Sequence, residues 1–107
     1  MVREVGRCEW CGRYFSLAPH EISRGNARAA SLTCRSAILI LCNAPHGTKP
    51  SCHEVVGGWS RARQLALLYH VRTSDYNLAV YHQKVGHKSP SQEEVDVHIA
   101  QLTEIKA

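Results

Sequence analysis

The sequence predicts an α+β fold, with strands in the front half and only helices behind it. Three observations lead there. Four of the five cysteines fall into two pairs, Cys8 with Cys11 and Cys42 with Cys52. Ala37 to Cys42 is short and continuously apolar, which suits a buried strand. From Cys52 onward, apolar residues recur every three or four positions, the period of helices that pack through one face.

A chain of 107 residues makes one small domain. A domain of that size buries only about two-thirds of its surface, so a metal or another staple suits it. Its 44% hydrophobic and 21% charged residues are globular proportions, not those of a disordered chain. No apolar run approaches the ~18 residues of a membrane span, the longest being Ala37 to Cys42. Met1-Val2-Arg3-Glu4 lacks the apolar core of a signal peptide, so the expected location is the cytoplasm, with no membrane partner.

The net charge of +4 is unevenly spread. Residues 1–63 hold nine basic and four acidic side chains, and residues 64–107 hold four and five. Nine of the 13 basic residues are Arg, whose planar guanidinium grips phosphate with two parallel hydrogen bonds. A basic face for nucleic acid is one reading, and a solvated surface with excess Arg is the other.

Taken in order, residues 1–7 are polar and read as irregular. Tyr14-Phe15-Ser16-Leu17 reads as a short strand and Pro19-His20-Glu21-Ile22 as the next. The turn formers Ser23-Arg24-Gly25-Asn26 follow, and Arg28 to Leu32 suits a helical turn. Ala37 to Cys42 is the buried strand. Asn43 to Ser51 holds Pro45, Gly47 and Pro50 and must be a loop. The helical pattern from Cys52 is interrupted by Gly57-Gly58, resumes from Trp59 to Val71, breaks at Thr73-Ser74-Asp75 and returns from Tyr76 to Val85. Ser89-Pro90-Ser91-Gln92 reads as a helix start, with a Ser cap and Pro first. Val95, Ile99, Leu102 and Ile105 give that last helix its apolar stripe. The expected division is a zinc-stabilised core over residues 1–58 and a helical extension over 59–107, packed on the core as a single domain.

With no export signal, five cysteines argue against disulfides. Cys8-x2-Cys11-Gly12 has the form of a zinc knuckle, in which a tight turn brings two thiolates to one metal and Gly12 lets the chain curl behind it. The alternative for such a pair is redox chemistry, which should sit in a βαβ pattern that the polar segment before Cys8 does not supply. Cys34, just before the apolar strand, reads as a small buried hydrophobe. Zinc on Cys8, Cys11, Cys42 and Cys52 would bring His20, on a strand, close to His53, on a helix. Two imidazoles, with Glu21 or Glu54 beside them, suit a second, catalytic divalent ion for phosphodiester cleavage. A His or Glu would take the proton of the attacking water. Arg24, Arg28 and Arg35 are the candidate contacts to nucleic acid. His70, His82, His87 and His98 lack ligand-spaced partners and read as surface or packing residues, and Trp59 reads as core.

Together these segments — Cys-x-x-Cys-Gly, then His-Glu-Ile-x-Arg-Gly, then an apolar strand ending Leu-Cys, then Cys-His-Glu — resemble the zinc-bearing HNH endonucleases, above all the short phage and prophage forms. The resemblance covers residues 6–56 through these motifs, and more loosely the helices that follow. It implies a ββα-metal, treble-clef-like zinc core with C-terminal helices, and hydrolysis of DNA phosphodiesters in the cytoplasm, the host cell's where the chain is phage-encoded. It also implies phage-encoded protein partners. Cys8, Cys11, Cys42 and Cys52 match the structural zinc ligands. His20 and Glu21 occupy the two adjacent catalytic places of the first strand, and His53 matches the helix-borne His. With His20, His53 would hold a catalytic ion such as Mg, Mn or Ni, Glu21 being the base or a further ligand.

Three positions depart from the family pattern. Glu21 stands where a His is usual, and Ala37 stands where the middle Asn is expected. Nine residues, His46 among them, separate the last two cysteines in place of two. His46 is therefore a further candidate ligand in place of Cys52. The alternative function is a non-catalytic treble-clef module that binds nucleic acid or a protein partner. A structural zinc domain of a larger phage assembly is the third.

Overall fold

In chain order the protein runs α1 (Val2–Val5), β1 (Leu17–Glu21), β2 (Ile38–Cys42), α2 (Cys52–Gly57), α3 (Arg61–Val71), α4 (Leu78–Val85) and α5 (Gln92–Lys106). Single 3-10 turns stand at Arg35–Ala37 and Thr73–Asp75. This is a computed structural model, and it describes residues 2–22, 34–85 and 90–106. The turn expected at Ser23 to Asn26, the helical turn at Arg28 to Leu32, and Arg24, Arg28, His87 and Ser89 lie outside the described residues.

The α+β order is as expected, with two differences at the front. Residues Val2–Val5 form a short helix where the sequence reads as irregular. In place of two strands there is one, Leu17–Glu21, because Ser16 adopts the left-handed conformation (φ 54°) and turns the chain just ahead of it. Tyr14 and Phe15 are left outside the sheet.

β1 and β2 pair antiparallel, Leu17 opposite Cys42 and Glu21 opposite Ile38. Pro19 is tolerated in β1 because a two-stranded sheet leaves each strand one unpaired edge. All five residues of β2 are buried, so it is covered on both faces. Ala37, Leu39 and Leu41 join the main core with Leu65 to Leu68 of α3, Tyr81 of α4, and Val95 and Leu102 of α5. That core also takes in Cys8, Cys42, Cys52 and Val56, so one continuous interior spans both halves of the chain. Cys34 lies in it as well, the buried hydrophobe its position predicts.

The helices start where their caps allow. Ser51, Ser60 and Ser91 each accept a hydrogen bond from the backbone N–H three residues on, Glu54, Arg63 and Glu94 respectively. The last helix therefore starts one residue after Ser91, whose hydroxyl also donates to Glu94 Oε1, and not at Ser89. α3 is buried along most of its circumference, since Gln64 lies inside with Ala62 and Leu65 to Leu68. α5 packs beside it through Val95, Ile99 and Leu102, while Ile105 is exposed. No helix among the described residues is long and apolar enough to cross a membrane.

The second edge of β2 is closed by side chains. Glu9 and Ile40 exchange two bonds: Glu9 N–H donates to the Ile40 carbonyl, and Ile40 N–H donates to Glu9 Oε1, each at 2.8 Å. Arg72, at the end of α3, donates to the Ile38 carbonyl and forms an ion pair with Glu9 (Nε to Oε2, 2.8 Å). Both side chains are nearly excluded from water, at 10% and 3% exposure. Arg72 also donates to Asp75, which in turn holds Arg35, and Arg35 reaches Glu4. The Arg35 guanidinium beside it holds the Asp75 carboxyl below its usual value against partial burial, with Arg72 adding to the effect.

Glu9→Gln removes the carboxylate from a buried Arg72. It should cost about 3–5 kcal/mol of unfolding free energy, read by denaturant titration of the zinc-loaded protein. Glu4→Gln, at the exposed end of the same chain of charges, should leave the midpoint unchanged. Because Asp75 titrates below its ordinary value, its contribution is present in full above about pH 4 and is lost as acid takes the pH through the lowered value.

Candidate metal centre and the neighbouring histidines

The knuckle is built by its backbone. Cys8 N–H donates to the Arg13 carbonyl at 2.8 Å and Gly12 N–H to the Cys8 carbonyl at 3.0 Å, which closes the turn. Gly12 takes φ 86°, a conformation that costs a side-chain-bearing residue but not glycine. Cys11 N–H points at Cys8 Sγ, 3.5 Å away. Cys42 ends β2 and Cys52 opens α2. The nine residues between them fold into a tight turn, His46 and Lys49 exchanging both backbone hydrogen bonds across Gly47. The long spacer is thus returned to the geometry of a short one.

The result is four sulfurs within 4.8 Å of one another. Cys11 and Cys42 Sγ are 3.8 Å apart, and a tetrahedron of zinc–sulfur bonds of about 2.3 Å has edges of about 3.8 Å. The donor set and its spacing fit a metal ion such as zinc. The thiols themselves argue the same way. Burial opposes ionisation of Cys8, but N–H groups of Cys11, Cys42 and Trp10 outweigh it and bring the thiol down to about 7. Burial pushes Cys11 and Cys52 up, and the neighbouring thiols push Cys52 up further. Four sulfurs this close cannot all carry charge alone, and a cation removes that conflict.

His46 neither replaces Cys52 nor stands free in the loop. Its Nε2 lies 3.5 Å from the sulfurs of both Cys42 and Cys52, while Arg13 donates to its Nδ1 at 2.9 Å. Arg is always a donor, so Nδ1 accepts and Nε2 carries the proton. His46 therefore aims an N–H at two sulfurs and supports the site from outside the ligand set.

His20 and His53 do come together. Their rings meet edge to face with centroids 4.9 Å apart. Two imidazoles on one ion, with bonds of about 2.1 Å, have centroids roughly 4.6–5.3 Å apart, a range that ordinary edge-to-face packing also spans. His53 follows the ligand Cys52 directly in α2. Gly57, one turn on, presents its Cα to the His20 ring, since a Cβ there would lie 3.4 Å from His20 Cε1. Gln64, buried in α3, completes the arrangement: its Nε2 donates to the Trp59 carbonyl at 2.9 Å. Its Oε1 must then face His20 Nε2, 2.7 Å away. His20 thus donates through Nε2 to Gln64 Oε1, which in the neutral form of the ring fixes the tautomer.

The other expected residues are placed less tightly. Glu21 follows His20 as the last residue of β1 and is half-buried. Successive strand residues face opposite sides, so it does not share the face of His20. Among the described residues, the four cysteines are the one group of three or more potential ligands whose donor atoms converge. Ala37 is fully buried, and its carbonyl accepts from Ile22 N–H at 2.8 Å. Arg35 is engaged by Glu4 and Asp75, so contact with nucleic acid would compete with charges inside the fold. Glu54 is exposed. His70 and His82 bond the Ile99 and Pro90 carbonyls and are packing residues. Trp59 is half-buried against Trp10 and under Arg63.

Gln64, Glu9, Arg72 and the role of His46 were not read from the sequence. A polar residue inside the apolar stripe of α3 was the one available signal, for Gln64. Comparison with protein-family models, with curated proteins and with solved structures finds no match.

One metal ion per chain is expected on elemental analysis of freshly purified protein, and zinc should be that metal. Removing it should abolish the cooperative unfolding transition, since ligand convergence and folding are one process. Protons compete for the sulfurs, so release to a chelator should quicken as pH falls. For His20, a long-range ¹H–¹⁵N correlation of the neutral ring should show a protonated Nε2, and Gln64→Leu should shift that population toward the other tautomer.

Proposed function

We propose that this protein is a small metal-dependent endonuclease of the HNH type, which hydrolyses phosphodiester bonds of DNA. The observation that carries the reading is the pairing of His20 with His53, one from the strand and one from the helix, at a spacing suited to one ion. The cysteine cluster lies one residue from His53 and sets the start of the helix that bears it. A treble-clef-like zinc core belongs to the same reading, as does the +5 charge of residues 1–63.

In hydrolysis a water oxygen bonds to phosphorus, the bond to one ester oxygen breaks, and the water's proton passes to a base. His20, through Nδ1, and His53 would hold a divalent ion such as Mg, Mn or Ni. That ion supplies charge stabilisation for the crowded phosphorus and the departing oxygen. Gln64 fixes which His20 nitrogen offers a lone pair, and Gly57 leaves room for the ring. Glu21 enters as the base, or as a further ligand, on its place in the sequence. Arg24 and Arg28 enter as phosphate contacts on the same ground.

A second reading, a non-catalytic zinc module that binds nucleic acid or a protein, has its own support. Ala37 is buried where the family pattern has Asn, and Glu21 lies on the strand face opposite His20.

Plasmid nicking by zinc-loaded protein, supplied in turn with Mg, Mn and Ni, separates the two. The nuclease reading expects nicking with at least one ion. His53→Ala should abolish it without loss of zinc, and Glu21→Gln should lower the rate by about 10²–10⁴. Glu21→His should keep or raise activity near neutral pH. No nicking with any ion, and no rescue by Glu21→His, leaves the binding module.

A further inference from the structure

The turn that leads out of the knuckle carries two large aromatic rings in water. Tyr14 is 71% and Phe15 61% exposed. Neither is a stray core residue, because each is matched to its own guanidinium. Arg7 lies over the Tyr14 ring at 5.2 Å and Arg13 over Phe15 at 4.6 Å. Arg13 is itself held by the Ala44 carbonyl at 2.7 Å and by His46 at 2.9 Å, so the Phe15 side of the pair is anchored to the metal loop. The left-handed Ser16 keeps both rings out of the sheet, and its carbonyl is tied to Asn43 N–H at 2.8 Å.

In the two segments that build this corner the exposed charge has one sign, while Glu4, which lines the same cleft as Arg7, is paired with Arg35. Between Arg7 and Ser16 the single carboxylate is Glu9, which is buried and paired with Arg72. Between Asn43 and Ser51 there is none, while Lys49 is exposed on the turn beside His46. Exposed rings stacked under guanidinium groups are complementary to one chemistry in particular. An unpaired nucleobase stacks on an aromatic face while its phosphates meet Arg and Lys. A duplex offers the phosphates but keeps its base faces stacked inside.

We propose that Tyr14 and Phe15, with Arg7, Arg13 and Lys49, form a stacking platform for single-stranded nucleic acid at the metal end of β1. The platform precedes Leu17 at one end of β1 and His20 lies near the other, so the platform is a surface of its own. The proposal shares the nucleic-acid partner of the nuclease reading but not its chemistry. Binding without nicking would leave the platform standing and remove only the catalysis.

The test is fluorescence anisotropy of zinc-loaded protein, without added divalent ion, against a labelled oligothymidine of about 12 nucleotides and against a duplex of equal length. Tighter binding to the oligothymidine is expected, weakening steeply with salt. Tyr14→Ala and Phe15→Ala should each weaken it about 5-fold or more, with zinc content and unfolding midpoint unchanged. Phe15→Trp, which keeps a stacking face, should retain it. Equal or tighter duplex binding, or affinity untouched in the Tyr14→Ala/Phe15→Ala double variant, would overturn the proposal. So would no binding at low salt, which would leave the rings to a protein partner.

Discussion

Convergence of four sulfurs is the constraint on which the rest of the fold depends. A two-stranded sheet is marginal by itself in water. Among the described residues, the front half otherwise has one fully buried strand and two short helices, of four and six residues. The sulfurs come from the knuckle, from the end of β2 and from the first residue of α2, so one ion held there would join three segments. Metal binding in zinc-finger peptides is worth about 10–16 kcal/mol near neutral pH, as large as the whole stability of a typical domain, about 5–15 kcal/mol. Here that term also has its counter-charges in place. Arg13 acts through His46 on two of the sulfurs, and backbone N–H groups act on Cys8.

A second tie runs from the same knuckle in the other direction. Glu9, one residue after Cys8, is drawn inward to the edge of β2, where Arg72 meets it from the end of α3. A buried ion pair of this kind is weak support for stability, because removing two charges from water consumes most of their attraction. Its value is geometric. It closes the edge of β2 against strand addition and fixes where α3 ends. That in turn sets Gln64, two turns earlier in the same helix, against His20. The metal site and the histidine pair are therefore positioned from both sides, through α2 by Cys52 and through α3 by Arg72.

Much of this was legible because it is local. The knuckle, the buried strand read over Ala37 to Cys42 and the helices from Cys52 depend on residues within a few positions of one another. So did the approach of His20 to His53, once the cysteines had been joined. What was not legible depends on partners far along the chain. Glu9 and Arg72 are 63 residues apart, and His20 and Gln64 are 44 apart. Nothing in a Cys-Glu-Trp-Cys turn says that its carboxylate will be buried. The single strand in place of two was missed for another reason. Tyr-Phe-Ser-Leu has strand composition, but Ser16 takes a positive φ that composition does not report.

That miss separates the two surfaces of the front half. Read as strand, Tyr14 and Phe15 would be half-buried sheet residues with nothing left over to explain. Read as a turn, they are rings held in water at a cost in exposed apolar surface of about 25 cal/mol per Å². The same turn fastens to the metal loop through Arg13 and to the head of β1 through Ser16. A chain that kept these rings only for packing would turn them inward toward the core, as it does Trp10 and Trp59. Exposure among cations, on a turn fastened beside the cysteine cluster, instead fits rings that pack against something outside the chain, and their place at the far end of β1 from His20 makes that surface separate from the histidine pair.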